Sequence, residues 1–197
     1  DGNNVGPSVC DRLIDSIHDK ISYMHRYVSL RKEMLGVDEL HMYDVYVPMV
    51  ADYDRKFSYE EAKELSLKAL APLGEEYLSI VRKAYAERWI DVYENEGKRS
   101  GAYSSGVYGV HPYMLLNYTD TLDDVFTLVH EMGHSMHTWY SEHAQSHLNS
   151  GYKIFVAEVA STTNEILLLE YMLARAKDPK EKAYLINYYL ECFKGTV

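Results

Sequence analysis

The stretch Thr121-Leu-Asp-Asp-Val125-Phe-Thr-Leu-Val129-His130-Glu-Met-Gly-His134-Ser-Met136 decides how the rest of the chain is read. Thr121 and Asp124 have the spacing of a reciprocal helix cap. Behind them Val125, Val129, Met132 and Met136 recur at three- and four-residue steps, the signature of one apolar helix face. Within this predicted helix lies an H-E-x-x-H sequence, His130 to His134. Four residues of helix turn through about 400° and rise about 6 Å, so both imidazoles face one way. Two ring nitrogens presented together can fill two corners of a tetrahedral zinc shell. Glu131, about 100° round the helix from His130, can hold a water at an open corner. The bland reading is that two histidines merely happen to lie four apart. It leaves two histidines and a carboxylate uncompensated on an apolar helix, which is energetically costly.

A tetrahedral protein site needs a third ligand, and a carboxylate on a later helix is the economical source. Glu158 and Glu165 lie seven residues apart, about two helical turns, and so share a face with Phe155, Thr162 and Leu169. On a stripe otherwise apolar or small (Phe155, Val159, Thr162), at least one of these acids is expected to meet a buried cation. Glu158 is assigned as the ligand and Glu165 as the carboxylate that orients an imidazole. His137 is three residues from His134, but three protein ligands suffice and it is left out. His143 and His147 lie further on, and His18, His25, His41 and His111 have no partner spacing.

Outward from the motif the chain reads as mainly α. Residues 9–35 carry Leu13, Ile14, Ile17, Ile21, Met24 and Val28 at helical steps, with Ser8 expected to cap the start and Gly36 to end it. Residues 37–57 hold Pro48 without a sustained period and read as an irregular connection. Ser58 and Glu61 form a capping box for a helix that Pro72 breaks, and a further helix is expected over residues 73–94. The glycine-containing segment 97–118 ends in one short β element, residues 113–118, before the motif helix. Two more helices are expected over residues 153–176 and 179–194, the second opened by Asp178, Pro179 and Glu181.

With 197 residues the chain is of one-domain size and needs no metal merely to hold a core. A net charge of −10 without a basic stripe argues against nucleic acid. No apolar run approaches the roughly 20 residues of a membrane span. Cys10 and Cys192 form no framework and residues 1–7 have no secretory pattern, so a cytoplasmic location is expected. The apolar helical pattern of Ala183, Leu185, Ile186, Tyr189 and Leu190 runs almost to Val197, which suggests a piece of a longer protein.

His130-Glu-Met-Gly-His134, followed by Phe155-Val-Ala-Glu158-Val-Ala-Ser161, resembles the thimet oligopeptidase family of zinc peptidases, and within it the oligoendopeptidase F group. Gly97-Lys-Arg-Ser-Gly-Ala-Tyr-Ser104 and Asp124-Val-Phe-Thr-Leu-Val129 share the likeness, which covers at least residues 97–170. The resemblance implies a zincin-like, mainly helical catalytic region with a deep channel. Such a channel admits short peptides, excludes folded proteins, and would be lined by the strand at 113–118. It implies one Zn²⁺ per chain held by His130, His134 and Glu158, Glu131 as general base and proton shuttle, and Glu165 as a further family glutamate. Family members also place a substrate-binding His and Tyr further towards the C-terminus, and that segment is missing here. Residues 1–197 are therefore expected to be part of a single helical metallopeptidase domain whose partner is the remainder of that domain. The chain alone is expected to bind zinc and to hydrolyse peptides weakly or not at all.

Other readings are open at this stage. Two histidines and one carboxylate also make the facial triad of non-haem iron oxygenases, which have no need of a base between the ligands. Glu131-x-x-His134 is half of a di-iron bundle signature, and no second Glu-x-x-His exists in the chain. The non-enzymatic alternative is a metal-stabilised helical module that binds peptides without cutting them.

Overall fold

Helix ends in this chain are set mostly by local chemistry. The computed structural model describes residues 5–50 and 55–196 and is mainly helical, with six α-helices and one three-stranded sheet among the described residues. Residues 51–54, part of the connection expected to be irregular, lie outside the described residues. The chain sorts into two compact units, residues up to 53 with those from 176, and residues 54–175. Each is described by itself.

The first unit holds α1 (Pro7–Leu35) and α6 (Pro179–Thr196). Pro7, not Ser8, opens α1: its missing N–H and fixed φ suit the first helical position, and Ser8 lies inside the helix rather than capping it. Gly36 ends α1 in the left-handed region, φ 66°, as expected. Among its described residues the connection contains one 3₁₀ turn, Met42–Tyr46. Arg31 is buried, and its guanidinium donates to the Asp44 and Val47 carbonyls while forming a 2.8 Å ion pair with Glu191. One cation thus ties α1, the 3₁₀ turn and α6. Burial pushes the Glu191 carboxyl up, but hydrogen bonds from Lys194 and Tyr27 and the charges of Lys194 and Arg31 pull it net below the ordinary range. Leu13 and Ile14 of the amphipathic pattern remain exposed.

The second unit begins with α2 (Tyr59–Ala69), whose Ser58/Glu61 capping box forms as the sequence predicts and which a 3₁₀ turn at Ala71–Leu73 terminates. Next comes α3 (Glu75–Ala86). The helix expected to reach residue 94 stops at Ala86, because Arg88 adopts φ 62° and Ile90–Asp91 pairs as strand β1. The sheet is a second correction, since the sequence suggested a single β element. Strand β1 runs parallel to β3 (Tyr113–Leu115), and β2 (Tyr103–Ser105) runs antiparallel to it, in the order β1-β3-β2. Trp89, at the head of β1, stacks on His111 (4.7 Å between ring centroids) and on Trp139 (5.3 Å).

Helix α4 (Leu122–Ala144) opens with the predicted capping box. Asp124 Oδ2 accepts hydrogen bonds from Thr121 N and Oγ1 and from Thr119 N and Oγ1, at 2.7–2.9 Å. The expected apolar face is buried, with Val125, Val129, Met132 and Met136 all in the core beside Leu168 of α5 (Ile154–Leu173).

Candidate metal centre

Helix α4 contributes His130, Glu131 and His134, and α5 contributes Glu158 and Glu165. Their approach depends on Gly133. A Cβ there would lie 2.7 Å from Ala160 O and from Ser161 Cα, so any side chain would hold the two helices apart. The small residue inside H-E-x-x-H lets α5 reach the histidines.

His130 Nε2 and His134 Nε2 are 3.1 Å apart, and Glu158 Oε2 is 3.4 Å from the first and 3.5 Å from the second. Three ligand atoms of a tetrahedral zinc with bonds of about 2.0–2.2 Å would be separated by about 3.3–3.6 Å. The donor set, two imidazoles and a carboxylate, is also of the type such an ion takes. The residues therefore fit a zinc ion. Among the described residues no other group of three His, Cys, Asp or Glu side chains offers donors this close.

The surroundings orient these donors. His130 Nδ1 hydrogen-bonds the Glu165 carboxylate, which assigns the proton to Nδ1 and turns the Nε2 lone pair toward His134 and Glu158. Burial pulls the His130 pKa down, but the bond to Glu165 and the nearby carboxylate charges outweigh it and the net shift is upward. His134 is held below its ordinary value by burial and by the charge of His130, and it hydrogen-bonds the Ala157 backbone. Glu158 accepts from Ser161 Oγ at 2.7 Å.

Glu131 is buried, and burial is the main reason its carboxyl titrates above the ordinary range. The Ser104 backbone amide of β2 hydrogen-bonds it, while Oε2 is buried and has no hydrogen-bond partner among the described residues. The Glu131 carboxylate also lies near enough to His130 and Glu158 to feel their charges.

The structure thus brings together Glu131, His130, His134, Glu158 and Glu165. It corrects the reason given for the two acids, because the stripe is not buried: Phe155 is 65% and Val159 63% exposed, and the Glu158 side chain is 57% exposed. Glu158 is a carboxylate at a rim that reaches inward. His137 stays out of the cluster and stacks on Tyr152 at 3.7 Å. Sequence reading missed Ser104, whose hydroxyl lies 2.8 Å from that of Ser135, because β2 is three residues long and carries no periodic signal. It also missed Asn164, buried between α5 and α4, whose neighbour Glu165 was the available hint.

The chain is similar to several known peptidases. The chain is 52% identical over 195 residues to oligopeptidase PepF of Bacillus subtilis (strain 168), covering 99% of this chain and 29% of that protein. It is 49% identical over 195 residues to an oligoendopeptidase F homolog of Lactococcus lactis subsp. lactis, covering 99% and 32%. The crystal structure of oligoendopeptidase-F from Enterococcus faecium superposes with a TM-score of 0.64 at 38% identity, over 100% of this chain and 27% of that one. A crystal structure from Chlamydophila abortus gives 0.89 at 41% identity, over 99% and 33%. The chain spans about a third of the length of the curated relatives it matches. The sequence pattern of peptidase family M3 matches residues 3–196, and the chain belongs to that family.

Proposed function

We propose that this chain is the metal-bearing part of a zinc-dependent endopeptidase that hydrolyses short peptides. The observation that carries the reading is the triangle of His130, His134 and Glu158 donors at tetrahedral spacing, with the unpartnered Glu131 oxygen beside it. His130, His134 and Glu158 hold one zinc per chain, and Glu165 fixes the His130 ring. Zinc, when bound, supplies Lewis acidity to a water and to a peptide carbonyl. Glu131 takes the proton of the attacking water on Oε2 and delivers it to the nitrogen of the leaving amine.

The names of the relatives support a short-peptide substrate, and the match over residues 3–196 supports one catalytic domain completed by the remainder of a longer chain. Glu131 sits beside exactly the donors a hydrolase uses, which favours this reading over a peptide-binding module. No described helix is long and apolar enough to cross a membrane. A cytoplasmic location, where Cys10 and Cys192 would stay reduced, belongs to the same proposal.

The test is metal content after dialysis, wild type beside Glu158→Ala. One zinc per wild-type chain, lost or weakened at least ten-fold in the variant, is expected; no zinc in either overturns the assignment. In the full-length polypeptide, Glu131→Gln should keep the zinc and lower kcat by about 10²–10⁴-fold on a quenched peptide. Unchanged turnover would remove Glu131 from its role.

A further inference from the structure

Glu158 cannot place itself. Its side chain is more than half exposed and accepts a hydrogen bond from Ser161 of its own helix, so its distance from His130 and His134 depends on where the α5 backbone sits. Gly133 sets how near α5 can come, but a steric limit alone does not stop one helix sliding along or lifting from another. A directional bond does.

We infer that Asn164 is a positioning residue for the metal centre, holding α5 at the register that presents Glu158 to the two histidines. Asn164 is 1% exposed. Its Nδ2 donates to Val129 O at 3.0 Å and to Tyr77 Oη at 3.0 Å, and Tyr77 Oη lies 3.2 Å from Asn164 Oδ1. Val129 O belongs to the turn that carries His130, and Asn164 adjoins Glu165, which holds the His130 ring. The Glu165 bond ends on a ring that can turn. The Asn164 bond ends on backbone fixed by its own helix, so it transmits position from α4 to α5. Tyr77, from α3, keeps the amide from rotating. An apolar residue of similar volume would fill the space and leave both the Val129 carbonyl and the Tyr77 hydroxyl without this partner.

The inference rests on the zinc reading, and the experiment separates the two. Zinc affinity of the chain is measured by competition with a chromophoric chelator, beside circular dichroism and Tm of the metal-free form. Asn164→Leu is expected to stay folded and bind zinc at least ten-fold more weakly, and Tyr77→Phe about threefold more weakly. Leu168→Ala, a core truncation on the same helix, is expected to lower Tm while keeping zinc affinity within twofold. A folded Asn164→Leu with wild-type affinity overturns the inference. So does equal weakening by Leu168→Ala, which would mark general destabilisation. If Asn164→Leu fails to fold, Tyr77→Phe decides: weaker binding supports the inference and unchanged binding overturns it. A wild-type chain that binds no zinc sinks the metal reading instead.

Discussion

The two units are keyed by opposite means. Around α1 the key is polar: one buried guanidinium gathers two carbonyls and a carboxylate, while apolar side chains such as Leu13 and Ile14 face outward. Around α4 the key is steric: an apolar core of Val125, Val129, Met132, Met136 and Leu168, with two helices brought together at a residue that has no side chain. A buried charge tolerates no missing partner, whereas a close-packed crossing tolerates no added atom. The proposed metal donors belong to the second kind, where packing limits how near the two helices come and the Asn164 bond to Val129 O holds their register.

The largest effect expected from breaking this contrast is at Arg31. Arg31→Met should cost about 3 kcal/mol, since it strips the Asp44 and Val47 carbonyls and Glu191 of their common donor. Hydrogen exchange should show protection lost in α1 and α6 and retained in α4; loss spread evenly over both units would break the comparison. Gly133→Ala should cost about 2 kcal/mol and also weaken zinc binding at least ten-fold, because the new methyl meets backbone that cannot step aside. Unchanged zinc affinity would mean that the helix approach is not what sets the donor triangle.

The smallest effect is at the α4 cap. Asp124→Ala should cost about 1 kcal/mol by thermal denaturation. Burial raises the Asp124 carboxyl, but the hydrogen bonds from Thr121 and Thr119 outweigh it and the folded-state pKa is lowered. Its contribution is therefore present above the unfolded value of about 3.9 and fades as pH falls through the folded one. Asp124→Asn should flatten that part of the stability profile below pH about 4, and an unaltered acid limb would assign the dependence elsewhere.

What the sequence made legible is what neighbours along the chain decide. Both capping boxes, at Ser58 and Thr121, are reciprocal bonds over three residues, and both form. H-E-x-x-H needs only helical geometry, and the seven-residue spacing of Glu158 and Glu165 put both acids on the side that meets α4. The sheet was opaque because its strands are two or three residues long, too short for alternation to register. Asn164 was opaque for another reason: it matters through a partner more than 25 residues away in sequence. The apolar stripe of α5 was misleading because periodicity reports that a face exists, not that something covers it.

Trp89 and Trp139 are the chain's two tryptophans, and they stack on each other, Trp139 from α4 itself and Trp89 from the head of β1. Indole emission is accordingly a private reporter of one unit and blind to the other, whereas far-ultraviolet dichroism sees the helices of both. An experimenter who follows this protein by fluorescence alone watches the half that carries the histidines, and two melting curves that fail to coincide would reveal the other half letting go on its own.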